Sequence, residues 1–184
     1  MRKVKYYVAS SLNGYIARED HSFDYFVAQG EHVPDYLESL NSFDVVLMGR
    51  KTYEVGLRVG VTDPYPNMKS YVFSRTIKES PNEKVQIVSG NPVELVRELK
   101  QETGKDIYLC GGGKLATILF AENLIDEVIL KLHPVMVGTG IRLFSEAIKQ
   151  VDLELISSKT FNSGVVVLQY RVKKADSEIE SRDA

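Results

Sequence analysis

One cysteine, Cys110, stands among 184 residues, and tryptophan is absent. A single thiol allows no intramolecular disulfide and no zinc site built from several cysteines. The three histidines, His21, His32 and His133, show neither His-x-x-x-His spacing nor a cysteine pair nearby, so no metal is expected. No apolar run approaches the ~20 residues that a membrane-spanning helix requires. The first residues read as a strand without a cleavable signal pattern, and a cytoplasmic protein is expected. An excess of either charge is also missing: 23 Lys and Arg oppose 25 Asp and Glu, for a net charge of −2. With the basic residues dispersed, no broad face for nucleic acid is expected, and any phosphate should be held locally.

What is present suits one globular domain. A hydrophobic share of 43% with 26% charged residues is ordinary for a folded chain, and this length buries roughly two-thirds of its unfolded surface. The domain is expected over residues 1–172. Residues 173–184 carry too little apolar surface to order themselves and read as a flexible tail.

Residues 4–10 form a first strand, and a turn at Ser11-Leu12-Asn13-Gly14 leads into a long polar loop reaching about Gly30. Pro34 and Asp35 open a helix through Leu40, followed by a buried strand at 45–48 that stops at Gly49. A helix over 50–59 and strands near 70–74 and 85–88 come next. Asn91 is a good N-cap, Pro92 fits the first helical position and Glu94 completes a capping-box-like pair, so a helix runs from there to Gly104. Strand 107–110 enters Gly111-Gly112-Gly113 and a helix. Three long strands, 127–135, 153–161 and 165–172, close the chain, the last two joined by Asn162-Ser163-Gly164. Strands alternating with helices imply parallel pairing. The expected fold is α/β, a mixed, mostly parallel sheet with helices on both faces and an antiparallel C-terminal edge.

Three strand ends carry phosphate-competent chemistry. Gly111-Gly112-Gly113 lets backbone N–H groups approach an anion at a positive helix end, or else forms only a tight turn. It is neither a Walker loop, since Leu115 follows Lys114, nor a Rossmann Gly-x-Gly-x-x-Gly. Met48-Gly49-Arg50-Lys51-Thr52 repeats the arrangement with two cations in a first helical turn, where the dipole disfavours them unless an anion binds, or else makes a solvated helix start. Phe73-Ser74-Arg75 offers a hydroxyl and a guanidinium suited to the 2′-phosphate of NADPH, or a plain surface turn. Together, at successive strand ends, they point to a ligand, because open α/β sheets bind ligands there.

In order, Ala9-Ser10-Ser11-Leu12-Asn13-Gly14-Tyr15-Ile16-Ala17, Met48 to Glu54, Phe73-Ser74-Arg75, Cys110 to Leu115 and Pro134 to Gly140 leading into Leu143-Phe144 resemble the dihydrofolate-reductase-like superfamily. The chain is most similar to the riboflavin-biosynthesis reductase (RibD C-terminal domain) family of small single-domain proteins, over about residues 3–172. The resemblance implies a three-layer fold, NADPH as cofactor, and hydride transfer to a C=N or C=O of a small heterocycle, as in 5-amino-6-(5-phosphoribosylamino)uracil reductase or dihydrofolate reductase. It places the nicotinamide against Ala9, Asn13, Gly14 and Ile16. The adenosine phosphates fall to Gly49, Arg50, Lys51, Thr52, Ser74 and Arg75, and the pyrophosphate to Gly111, Gly112, Gly113, Lys114 and Leu115. Asp24 is the candidate proton donor, with Tyr25 beside it at the substrate, and Asp35 or a bound water is the rival. A homodimer formed through the sheet edge is also implied, covering apolar strands such as Val165-Val166-Val167-Leu168. The folate reductases' loop tryptophan and the bifunctional riboflavin enzyme's zinc-deaminase elements are both missing here. A non-catalytic NADP(H)-binding protein on the same fold is the alternative function.

Overall fold

The computed structural model describes residues 1–145 and 148–174. Its strands are β1 (Val4–Ser11), β2 (Tyr15–Ala17), β3 (Phe43–Gly49), β4 (Lys69–Phe73), β5 (Val85–Val88), β6 (Asp106–Gly111), β7 (Glu127–His133), β8 (Ile141–Arg142), β9 (Leu153–Thr160) and β10 (Val166–Val172). Its helices are α1 (His32–Ser39), α2 (Arg50–Arg58), α3 (Pro92–Gln101) and α4 (Gly113–Ala121). Eight strands form one sheet in the order β5-β4-β3-β6-β1-β7-β10-β9, and β2 pairs with β8 separately. The first six of these strands are parallel, β10 adds antiparallel to β7, and β9 adds antiparallel to β10.

Alternation along the strands builds two cores. Val4, Tyr6 and Val8 of β1, Val45 and Leu47 of β3, and Ile107 and Leu109 of β6 face Val96, Leu99, Ala116 and Leu119 of α3 and α4. Tyr7, Val46, Met48 and Tyr108 face the other way, against Tyr36 of α1 and Tyr53 and Leu57 of α2. A side-chain period of two sends neighbours to opposite layers, which is why a strand covered on both sides reads as a continuous apolar run. Fully burying each Leu, Ile or Val contributes about 1.5–3 kcal/mol.

α3 begins as its caps predict: Asn91 Oδ1 accepts from the Val93 N–H at 3.0 Å and Pro92 occupies the first turn. It stops at Gln101, short of Gly104, with Glu102 already extended. Gly104 serves packing, since a Cβ there would meet Asp44 and Arg2. α1 starts at His32, which puts Pro34 third in the helix, where an N–H would still lack an intrahelical partner. The loop expected to run to Gly30 contains β2, whose partner β8 lies more than 120 residues on, a pairing that no local pattern announces. Of the expected tail, Lys173 donates its N–H to Asp152 O and Lys174 reaches Asp126, while 175–184 fall outside the described residues. No helix among the described residues is long and apolar enough to cross a membrane.

Candidate active site

Chemistry gathers where the parallel strands end. The β1–β6 ladder stops at Tyr6 and Leu109, whereas β1 continues alongside β7 to Ser11 and His133. Beyond that point β1 parts from β6, leaving Ala9 and Ser10 without a ladder partner on the β6 side. Here too the chain changes direction: α1 and α2 carry it over one face and α3 and α4 over the other. A switch point of this kind opens a crevice at strand C-termini.

The glycine turns meet at the crevice. A Cβ on Gly49 would lie 3.4 Å from Gly112 N, and one on Gly112 would lie 3.4 Å from Thr52 Oγ1, so the ends of β3 and β6 and the start of α2 touch. Gly111 and Gly112 are joined by a cis peptide. Neither α2 nor α4 has a capping side chain or an acidic residue in its first turn, so both helices present free N–H groups and positive dipole ends. Arg50 and Lys51 are held instead by Glu54, at 2.6 and 3.6 Å. Burial pushes the Glu54 carboxyl up, yet hydrogen bonding and charge from Arg50 and Lys51 bring it below its usual range.

Sequence-predicted residues divide by what the fold asks of them. Gly113 abuts β8, since a Cβ there would sit 2.5 Å from Arg142 O, and Leu115 lies in the α3–α4 core. Lys114 is exposed. Ser74 Oγ accepts the N–H groups of Thr76 and Ile77 at 3.2 and 2.8 Å, which shapes the turn that presents exposed Arg75. Asn13 works as a clasp: its Nδ2 donates to Val137 O at 2.7 Å and its Oδ1 accepts from Val137 N–H at 3.0 Å. Gly14, with φ +83°, completes that turn, and Ile16 packs on the α3–α4 core.

Asp24, the candidate proton donor, is 76% exposed and paired with Arg18. Tyr25 lies under the Arg18 guanidinium, 4.8 Å from its ring centre, and its buried hydroxyl has no partner among the described residues. Asp35 sits on α1, 26% exposed, paired with Lys159.

Sequence reasoning passed over the α1 face of this crevice. Tyr36 OH lies 3.1 Å from Tyr108 OH and 3.3 Å from Tyr65 OH, and Tyr65 OH lies 3.3 Å from Cys110 Sγ. Burial pushes all four groups up, so they stay protonated at neutral pH. Lys131 of β7 places its ammonium 4.5 Å from the Tyr36 ring centre. One residue further on that face, His133 is pushed down to about 4 by burial, then by the charges of Lys131 and His32. A lysine inside a strand covered on both faces was the available signal, since such strands are otherwise apolar.

Sheet order, split strand ends and paired glycine turns define the dihydrofolate-reductase-like α/β class. The chain belongs to the RibD C-terminal domain family, whose sequence profile matches residues 2–167. It is 34% identical over 165 residues to the uncharacterized protein YwjB of Bacillus subtilis, covering 89% of this chain and 95% of that one. The uncharacterized YyaP of the same organism is 32% identical over 182 residues, at 92% and 94% coverage. A Shewanella sp. PV-4 protein assigned provisionally to riboflavin biosynthesis superposes with a TM-score of 0.80 at 26% identity, over 95% of this chain and 100% of that one. A Thermotoga maritima diaminohydroxyphosphoribosylaminopyrimidine deaminase/5-amino-6-(5-phosphoribosylamino)uracil reductase shares the fold, with a TM-score of 0.70 at 16% identity over 94% of this chain and 57% of that one.

Proposed function

We propose that this protein is an NADPH-dependent reductase that transfers hydride to a C=N or C=O carbon of a small heterocyclic substrate. The observation that carries the reading is the parting of β1 from β6 beside two helix N-termini free of acidic residues and side-chain caps. A dinucleotide fits this chemistry: anionic phosphates meet the α2 and α4 dipoles, and the nicotinamide end meets unladdered Ala9 and the 11–14 turn. Bound NADPH would supply the hydride. The chain's own residues orient it: Thr52 and the glycines let backbone come close, Arg75 stands free for the 2′-phosphate, and the Asn13 clasp fixes the loop over the crevice.

Calorimetric titration at low salt tests this directly. NADPH is expected to bind more tightly than NADH, and Arg75→Ala to weaken NADPH about tenfold or more while leaving NADH unchanged, the scale of one charge-assisted phosphate contact. Equal affinities for the two nucleotides, or an unaffected variant, would refute the assignment.

We also propose a homodimer. β9 is exposed along its whole length, with Leu153, Leu155 and Ile156 at 43%, 53% and 40%. Next to Leu153 lies an apolar groove of about 330 Å³ that includes Phe144, Val128 and Tyr170. An uncovered apolar edge strand is a pairing template. Light scattering at micromolar concentration should return twice the mass of 20.7 kDa, and Leu155→Lys should return the monomer. A wild-type monomer would rule the dimer out.

A further inference from the structure

Among the described residues, the α1 face of the crevice holds two hydrogen-bond donors without an acceptor. Lys131 belongs to a rung that crosses the sheet from Ala9 through Lys131 and Val167 to Lys159. Residues in register on adjacent strands point to one side, so both lysines face α1, about 10 Å apart by strand spacing. α1 brings Asp35 to this rung, and Lys159 takes it. Among the described residues, no carboxylate oxygen lies within 4.0 Å of Lys131 Nζ. Its ammonium rests on the Tyr36 ring instead, and burial alone lowers its pKa. One ring face is a poor replacement for water around a half-buried charge.

His133 is the second donor. Its Nδ1 accepts the Val27 N–H at 3.0 Å, so the neutral ring carries its proton on Nε2. That Nε2 is buried and has no partner among the described residues. Neighbouring His32 offers it nothing, because its own nitrogens are engaged by Ser163 Oγ and Val27 O, each at 3.0 Å. Lys131 and His133 are alternate residues of one strand and lie about 7 Å apart along it. Lys131 is also one strand over from Ala9, at the mouth of the crevice.

We propose that Lys131 and His133 form an anion-binding subsite, which receives a carboxylate or phosphate carried by the substrate. An acidic group supplies the acceptor that both donors lack, and the Tyr36 ring beside it suits a flat molecule. The ligand's role as substrate rests on the reductase reading; anion binding does not.

The test uses the full chain without nucleotide, with benzoate and inorganic phosphate as probes. Either probe, at tenfold excess over its Kd, should raise the wild-type thermal midpoint by roughly 3–5 °C. The probe that works identifies carboxylate or phosphate as the preferred group. Lys131→Met should lose the shift while its ligand-free midpoint equals or exceeds that of wild type, because methionine keeps the packed stem and removes an unpaired charge. Lys131→Arg should keep the shift. The proposal is overturned if neither probe moves the wild type, if the shift survives in Lys131→Met, or if Lys131→Met alone destabilises the ligand-free protein. Should NADPH fail to bind while the anion shift holds, the reductase reading falls and the subsite stands.

Discussion

Gly113→Ala is expected to lower the thermal midpoint by roughly 6–12 °C, corresponding to about 3 kcal/mol of overpacking in a chain of this size. The new methyl would sit 2.5 Å from Arg142 O and 3.3 Å from Leu143 O. Both obstacles are backbone, so no side chain can swing aside. The segment is further tied down, since the Ser145 N–H donates to Thr117 Oγ1 at 3.0 Å and Thr117 Oγ1 donates to Gly113 O at 2.8 Å. α4 would have to retreat from β8, loosening β8 from β2 as well. Gly138→Ala is the control, because a Cβ there has nothing within 4 Å among the described residues. Gly112→Ala separates packing from binding: among the described residues its Cβ would meet only Thr52 Oγ1, at 3.4 Å. Its midpoint should barely move, while NADPH affinity falls as the turn fills. Calorimetric melting of the three variants checks the order, and a Gly113→Ala midpoint within 2 °C of wild type would contradict it.

Glu127→Ala is expected to cost about 2–4 kcal/mol, the range for removing one partner from a buried ion pair, discounted because Lys3 is half exposed. The carboxylate lies at the opposite end of the sheet from the crevice, 3% exposed. It meets Lys3 Nζ at 2.7 Å, Lys5 Nζ at 3.4 Å and Gln169 Nε2 at 2.7 Å. Without it Lys5, only 16% exposed, keeps Asp106 alone, at 2.9 Å. Burial pushes the Glu127 carboxyl up, but Lys3, Gln169 and Lys5 together hold it below its usual range. The unfolded chain therefore takes up this proton first on acidification. The stabilisation is fully present above the unfolded value near 4.5 and is lost as pH falls through the lower folded value. His133 adds a separate acid slope. Its folded pKa near 4 lies below the ordinary 6.5, so stability drains between those values as pH falls. That slope is common to wild type and variant and cancels in their difference. Urea unfolding from pH 7 to pH 3 should show the gap between them constant down to about pH 5 and closing below it. A gap of equal size at every pH would assign Glu127 a packing role alone.

Local chemistry made much of the fold legible. Asn91 and Pro92 mark the start of α3, and the apolar run at 45–48 marks a strand buried on both faces. Gly49, Ser74 and Gly111 fall at the ends of strands of the parallel sheet, where their turn chemistry places them. Residues whose part depends on a distant partner were not legible. β2 is three residues long and exists because β8 closes against it. Asn13 has turn chemistry in any context, and only the return of residues 135–137 makes it a clasp. Leu115 and Gly113 belong to a phosphate-type motif by spacing, yet the fold uses one as core and the other as clearance for Arg142. Asp24 sits beside an aromatic residue in sequence, but Arg18 holds it at the surface.

By itself, then, the sequence determined the order of strands and helices along the parallel part of the sheet, which runs are apolar, and which turns combine glycine, hydroxyl and cation, because capping, alternation and glycine freedom act over a few residues. Tertiary structure decided which charges find partners. Lys131 and Lys159 are equivalent on paper, and only the docking of α1, which brings one carboxylate to a rung of two lysines, leaves Lys131 for a ligand.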